Sequence, residues 1–246
     1  MHNLGQTRSS HARNHLLLTP DTFVRTTLPG MKRCAAIIHT GPALGARFTQ
    51  YTAEFEVGGE LGTSMAQRFL YVIEGRLTIE SQGKTELGIR GYAYLPATTS
   101  HRVVAIESSR VTVIEKPYLS LTSAASPRPI ISSEDAVAAH ALNDDPDLQV
   151  RCLLPDEPSF DFAVNTMVYQ PGAALSQVEM HVMEHGLLML GGGGIYRLGD
   201  SWYPVTAGDF IWMAPWCPQW FGAIGKVPAK YLIYKDWNRH PLTEAL

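Results

Sequence analysis

Cysteine is scarce: Cys34, Cys152 and Cys217 form an odd set with no paired spacing. That gives no disulfide framework and reads as free or buried thiols in a reducing compartment. Long apolar runs are missing as well, since none approaches the roughly 20 residues that a membrane span needs. The segment from Met1 to His15 is polar, carries Arg8 and Arg13, and lacks the apolar core of a secretory signal. A cytoplasmic location is therefore expected, with no membrane partner. Charge of one sign is lacking too. A net charge of −3 and the absence of a Lys/Arg stripe leave no electrostatic case for nucleic acid. What is present is ordinary for a soluble chain able to bury a core, with 45% hydrophobic and 17% charged residues. A length of 246 residues allows one large or two small domains.

The chemistry-bearing stretch is Glu179-Met-His181-Val-Met-Glu184-His185, followed by Gly186, a short apolar run and four glycines from Gly191 to Gly194. Glu179, His181 and His185 are spaced i, i+2 and i+6. On one extended strand all three would point to one face, because side chains alternate with period two. Two neutral imidazoles and a carboxylate make half a shell for a divalent transition metal, leaving positions for a further ligand, water or substrate. The same residues also match the inverted zinc-protease pattern H-x-x-E-H, which requires a helix. Gly186 and the nearby glycine run oppose a helix, and the only later glutamate is Glu244. The plain alternative is three polar residues on a half-exposed strand with no metal.

Along the chain, short apolar and β-branched runs recur between turn residues. Cys34 to His39 reads as a buried strand, and Phe48 to Phe55 as a half-buried one. Arg68 to Glu74, Leu77 to Ile79, Tyr92 to Leu95, His101 to Ala105 and Arg110 to Ile114 continue the series. Many short strands at punctuated spacing predict an all-β sandwich or barrel. Ser120 to Asp135 breaks the pattern with Ser-Pro127-Arg-Pro129 and is expected to be a linker. Ser133 is a plausible N-cap for a short helix after it.

The halves repeat. Gly75 and Gly192 each follow an apolar strand, Gly91 and Gly208 each open the next segment, and both pairs are 117 residues apart. Later landmarks drift by one or two, with His101 answering Gln219 and Lys116 answering Lys235. A constant offset of this length indicates a duplicated domain. Mapped back by the offset, Glu179, His181 and His185 fall on Gly62, Ser64 and Arg68. The first half therefore lacks the ligand trio and keeps only His101. The second half offers a fourth donor, Gln219, between Pro218 and Trp220. A Glu, His, His, Gln set is mixed oxygen and nitrogen, which suits Mn(II), Fe(II) or Zn(II) and argues against copper. Cys217 lies two residues from Gln219 in a turn and need not point inward.

The pattern Pro171-Gly172…Glu179-x-His181-x-x-x-His185-x-x-x-x-x-x-Gly192, then Gly208-Asp209…Pro215-x-x-x-Gln219, resembles the two cupin motifs. Here Glu179 takes the usual first histidine place, His185 the glutamate place, and Gln219 the histidine of the second motif. That permutation resembles the (S)-ureidoglycine aminohydrolase family of bicupins in allantoin degradation. So do the stretches around Tyr196 and Pro218-Gln219-Trp, and Tyr231-Leu-Ile-Tyr-Lys235-Asp. The match is specific through most of the second half and rests on arrangement in the first. It implies an all-β bicupin of two double-stranded β-helix (jelly-roll) barrels. Residues 1–125 would form a degenerate cupin barrel without metal ligands, and 126–246 the metal-binding barrel with the active site. The resemblance further implies a Mn(II)-dependent hydrolase that converts (S)-ureidoglycine and water to (S)-ureidoglycolate and ammonia. Glu179, His181, His185 and Gln219 would hold Mn(II); Glu179, Gln219, Tyr231, Lys235 and Tyr196 would meet substrate; Glu179 and Lys235 would be catalytic.

Those residue types suit the chemistry. Lys235 is a sensible partner for the substrate carboxylate, Tyr231 four residues earlier shares its face of a strand, and Glu179 is a carboxylate able to handle a proton. Two rival readings are a cupin dioxygenase using iron or another metal, and a non-enzymatic bicupin that binds a small ligand. Self-association into a homo-oligomer is expected from the degenerate first half and the low charge.

Overall fold

The computed structural model describes residues 6–97 and 99–239. The chain forms strands almost throughout, joined by short turns and three single turns of 3-10 helix. The all-β expectation therefore holds. Among the described residues no helix is long and apolar enough to cross a membrane. Contacts divide the chain into two compact units. One is Val24–Val137, central in the sequence; the other joins Met1–Phe23 to Ala138–Leu246 and is split by it.

In the central unit Thr49–Leu61 is the long strand. Its first part pairs antiparallel with Ser109–Lys116, and its end pairs with Arg102–Ala105. One strand thus carries the sheet around a core. Period-two alternation aims Tyr51, Ala53 and Phe55 into that core, where Leu70 and Val72 of Gln67–Glu74 and Val111 and Val113 of Ser109–Lys116 meet them. The half-burial expected of Phe48 to Phe55 is exceeded, because Gln50 and Thr52 on the opposite face are buried as well. Burial there is tolerated because Gln50 Nε2 donates to Thr112 Oγ1 at 3.3 Å and His39 Nε2 lies 2.8 Å from Thr52 Oγ1.

The split unit sets an eight-stranded antiparallel sheet against a three-stranded one. The larger contains, side by side, Phe210–Met213, His185–Gly191, Ala229–Asp236 and Phe162–Tyr169. The smaller is Ser201–Thr206, Gly193–Leu198 and Gln219–Ala223. Leu187, Met189, Ile211, Tyr231 and Ile233 from the first sheet pack on Tyr196, Leu198 and Phe221 from the second.

Gly75 and Gly192, the pair 117 residues apart, close corresponding strands with φ of +80° and +62°. A Cβ at either would run into backbone, that of Ser108 and of Pro228 respectively. Glycine is required at both by conformation and by space.

Two boundaries differ from the sequence division at 125/126. Ile130–Ser133, inside the expected linker, is a strand hydrogen-bonded to Gly91–Leu95, so the central unit runs on to Val137. The short helix expected after Ser133 is a single 3-10 turn, Glu134–Ala136. Ser133 does cap it, its hydroxyl accepting from Asp135 N. The turn ends at Val137, whose backbone is extended, and the buried Glu134 carboxylate is engaged by Tyr71 Oη at 2.6 Å and by Arg90. At the other end, His15–Leu18 pairs with Phe210–Met213, and Leu17 is fully buried in the split unit's core. The early segment thus belongs with the second half of the chain.

Arg8 anchors this return. Its guanidinium donates to both carboxylate oxygens of the fully buried Asp209, at 2.5 and 2.9 Å, and Thr206 N donates to the same carboxylate. Removing Arg8 leaves Asp209 buried without its counter-charge. Arg8→Ala is therefore expected to destabilise the split unit by about 1–3 kcal/mol. Breaking the surface pair Arg25–Glu54 by Arg25→Ala should cost under about 1 kcal/mol. Urea denaturation of the two variants checks the contrast; equal losses would remove the anchoring role.

Candidate active site

Gly172, with φ +90°, turns the chain back after the strand Phe162–Tyr169. From there the backbone runs beside Gln219–Ala223 as an irregular ladder. Gly172 N donates to Ala223 O, and Leu175 N to Phe221 O. The ladder ends in a two-way bridge, Glu179 N to Gln219 O at 2.8 Å and Gln219 N to Glu179 O at 2.9 Å. One turn later Trp216 N donates to His181 O at 2.7 Å. These bonds hold the first acidic donor opposite the amide donor although 40 residues separate them in the chain.

The trio does not lie on one strand, which corrects the i, i+2, i+6 reading. Glu179 sits on the isolated bridge, His181 to Glu184 form a bend, and only His185 begins a strand. Pairing stops because the segment crosses between the two sheets, bonding to Gln219–Ala223 first and to Phe210–Met213 and Ala229–Asp236 afterwards. No helix forms over 181–185, so the inverted protease pattern has no structural basis here. Glu184 instead is buried and accepts from Trp212 Nε1 at 3.2 Å.

Despite the irregular route, Glu179, His181, His185 and Gln219 line one cavity of about 160 Å³, together with Tyr196, Tyr231 and Lys235. All seven residues singled out in the sequence therefore share one space. His181 Nε2 is 3.1 Å from Glu179 Oε2, and the His181 and His185 rings lie 5.3 Å apart, edge to face. Tyr196 Oη donates to Gln219 Oε1 at 3.2 Å, and Tyr231 Oη is 2.8 Å from Tyr169 Oη. Burial raises the hydroxyl pKa of Tyr196 and Tyr231 well above the ordinary tyrosine value, so both remain neutral donors. Cys217 is packed in the core with its Sγ near Pro218 O and does not line the cavity.

Among the described residues no three His, Cys, Asp or Glu side chains form a closed metal cluster. Glu179 and His181 engage each other, and the fourth donor is an amide. Three features nevertheless fit a divalent cation of intermediate softness. The His185 ring is buried with no hydrogen-bond partner at Nδ1. Burial, then the neighbouring His181, lowers its pKa to about 3, so the ring is neutral, the state a ligand requires. Gln219 Oε1 spends one lone pair on Tyr196 and retains a second.

Lys235 enters from Ala229–Asp236, directly across from His185. Burial lowers the pKa of its ammonium, and no ion-pair partner lies within 4 Å among the described residues. A half-buried cation of this kind can receive an anionic group. Sequence reading missed the other residues lining the cavity, among them Asn165 and Met167 on the strand beside Lys235. Both alternate with Tyr169 along one face of a strand; the one legible signal was the polar pair Asn165-Thr166 within the mostly apolar run Phe162 to Tyr169.

The corresponding positions of the central unit hold something else. Arg68, the counterpart of His185, is buried, and its Nη1 donates to Gly62 O and to His101 Nε2, each at 2.6 Å. Its Nε and Nη2 reach Glu115 Oε1 at 2.8 and 2.6 Å. His101 Nδ1 in turn donates to Thr99 O at 2.7 Å, which fixes the neutral tautomer. Cross-strand register pairs Arg68 with Glu115 as it pairs His185 with Lys235. Glu115, not Lys116, is thus the structural counterpart of Lys235. Both units bulge at the matching place, skipping Ile73 in one and Leu190 in the other. The drift comes instead from the connection: Lys230 lies 22 residues after Gly208, whereas its counterpart Arg110 lies 19 after Gly91.

Residues 165–234 match the family model of the cupin domain. A protein of Arabidopsis thaliana named (S)-ureidoglycine aminohydrolase is 40% identical over 244 residues, covering 97% of this chain and 80% of its own length. A protein of the same name from Escherichia coli strain K12 is 33% identical over 236 residues, covering 92% and 89% respectively. The crystal structure of protein Ylba from E. coli aligns with a TM-score of 0.85 at 29% identity, over 95% of this chain and 96% of that one.

Arg68→Met is expected to leave Glu115 and His101 facing each other without the guanidinium, at a cost of about 3 kcal/mol to the central unit. Thermal denaturation checks this. A loss under about 0.5 kcal/mol, the range of ordinary surface substitutions, would reduce Arg68 to a space-filler.

Proposed function

This chain belongs to the (S)-ureidoglycine aminohydrolase family and is a hydrolase that releases ammonia, and on that premise we propose that it is a Mn(II)-dependent bicupin converting (S)-ureidoglycine to (S)-ureidoglycolate. The observation that carries the reading is one small cavity that combines a Glu, His, His, Gln donor set with a lysine ammonium lacking a carboxylate partner. In the proposed division of labour, the central unit is the degenerate barrel and the split unit carries the single metal and the active site. The relatives' coverage of nearly the whole chain supports two barrels, and the Arg68 cluster supports one metal rather than two. The substrate is a small molecule. Self-association and a cytoplasmic location complete the reading.

Glu179, His181, His185 and Gln219 would hold manganese, which when bound supplies Lewis acidity at the reacting centre and a point of chelation for a compact polar ligand. The rest falls to the chain's own residues. Ureidoglycine carries an amine, a ureido nitrogen and a carboxylate on one carbon. Lys235 pairs with the carboxylate and so fixes one end of the substrate. Tyr231, fixed by its contact with Tyr169, and Gln219, fixed by Tyr196, bind its polar groups. Overall, the bond from carbon to the amine nitrogen breaks, a bond from carbon to a water oxygen forms, and the proton released by water leaves with the amine as ammonia. Glu179 is the one carboxylate among the residues lining the cavity, so it takes and returns that proton. Leu142, Leu175 and Ile233 keep one side of the cavity apolar, which strengthens the ionic contact by excluding water.

Freshly generated (S)-ureidoglycine should yield ammonia in the presence of added Mn(II), with one metal per chain by elemental analysis. His181→Ala should lose metal and activity together. Lys235→Met should retain metal while kcat/KM falls by roughly 30-fold to several thousand-fold, the range for truncating one partner of a partly buried ion pair. Iron with oxygen consumption would favour the dioxygenase reading instead. A near-normal kcat/KM in Lys235→Met would make the lysine an edge residue, and loss of its metal would assign it to the ligand shell.

A further inference from the structure

Lys235 is held in an unusual way for a lysine in a closed site. Buried or half-buried ammonium groups are ordinarily matched by a carboxylate, because an unpaired charge away from water is costly. Here its fixed neighbours are neutral. Asn165, buried and two residues along the adjacent strand from the position opposite Lys235, lies diagonally across from it. The Asn165 amide has two possible orientations. In one its nitrogen would face the lysine ammonium, donor against donor. Turned the other way, its oxygen accepts from Lys235 Nζ at 3.2 Å and its nitrogen donates to Val164 O at 3.1 Å, and both ends are satisfied.

The second neighbour is the face of Trp237, whose centroid lies 5.2 Å from Nζ. That ring is itself fixed, since its Nε1 donates to Asp156 Oδ1 at 2.6 Å. The following Asn238 bonds through Nδ2 to Glu157 O and Phe160 O. Directly across the sheet from Lys235 stands Ala163, which fills little space. The charged and titratable groups that act on the ammonium from a distance are Cys152, Glu179, Asp156 and, across the sheet, His185; neither carboxylate is within ion-pair range.

We propose that Asn165 is a positioning and specificity residue. With the Trp237 face it holds the Lys235 ammonium in place without neutralising it, and so reserves that charge for the carboxylate of an α-ureido acid. This inference rests on the substrate class proposed above. An aspartate at the same position would have nearly the same shape and would form an internal ion pair, occupying the lysine before any ligand arrives. The amide is what keeps a full positive charge available, and the aromatic face stabilises it without supplying a competing anion.

The test uses the Mn(II)-loaded protein and two probes that lack the departing amine and so are not hydrolysed. N-carbamoylglycine keeps the ureido group and the carboxylate. N-carbamoylglycinamide keeps the ureido group but is uncharged. Dissociation constants by calorimetry, metal content and melting temperature are measured for wild type, Asn165→Asp and Asn165→Ser. Asn165→Asp is expected to weaken the carboxylate probe by about 30-fold or more, the range for disabling one partner of a charge pair. The neutral probe should change by less than about threefold, the scatter of distant or indifferent substitutions. With ureidoglycine, KM should rise in step while kcat changes much less. Asn165→Ser keeps a neutral acceptor and should restore most of the preference for the charged probe.

An Asn165→Asp variant that binds both probes as wild type does would overturn the proposal, as would one that loses both equally with lowered metal content. If Asn165→Asp does not fold, Asn165→Leu decides. A selective loss of the charged probe sustains the cradle, and an equal loss of both removes it. The two readings separate cleanly. Selective binding of N-carbamoylglycine without ammonia release from ureidoglycine keeps the cradle and rejects the substrate. Ammonia release with an unchanged KM in Asn165→Asp does the reverse.

Discussion

Everything the split unit can do chemically depends on two backbone hydrogen bonds, the reciprocal pair between Glu179 and Gln219. Neither residue sits on a long stretch of regular pairing. Glu179 belongs to a segment that the larger sheet does not hold, and Gln219 opens a strand of the smaller sheet. The bridge ties the edge of one sheet to the route into the other, so the carboxylate and the amide face one space. His185 is then supplied from the opposite side, by a strand whose register is fixed on both edges. The site is thereby built across two sheets whose core packing is already rigid, and its geometry is as stiff as that packing.

The two units show opposite solutions to the same electrostatic problem. In the central unit a guanidinium, an imidazole and a carboxylate satisfy one another and a backbone carbonyl, leaving no strong donor or acceptor open at that point. In the split unit the equivalent region contains a histidine with an orphaned ring nitrogen and a lysine with only neutral contacts. Burial of polar groups without partners is unfavourable, and a fold tolerates it where a ligand completes the set. The incompleteness of one cluster and the completeness of the other distinguish the candidate site from the matching positions of the central unit more sharply than residue identity does.

The N-terminal segment shows the same principle applied to stability. Leu17 fills the split unit's core and Arg8 compensates the buried Asp209, so segments from either side of the central unit in the sequence build one unit. Composition offered no hint of this. The segment Asn14 to Thr19 is short, and a single apolar strand carries no information about which of two similar sheets it will join.

Many of the strands, the glycine repeat and the seven singled-out residues that share the cavity were legible in the sequence, because they rest on local rules. Alternation by two marks a half-buried strand, glycine marks positions such as 75 and 192 where φ is positive and the backbone close, and an unusual density of donors marks Glu179 to His185. Tertiary structure decided whatever depends on pairing between distant segments. It took the trio off a single strand and seated Glu179 against Gln219. It made Glu115, not Lys116, the counterpart of Lys235, because the stretch after Gly208 is longer than that after Gly91 and only cross-strand register shows where the extra residues fall. It also set Asn165 against the lysine, a diagonal contact across two strands separated by some 60 residues of chain, as in the general case of non-local sheet pairing. Side-chain identity is written in the chain, but which unpaired groups come to face one another is settled only when the sheets close.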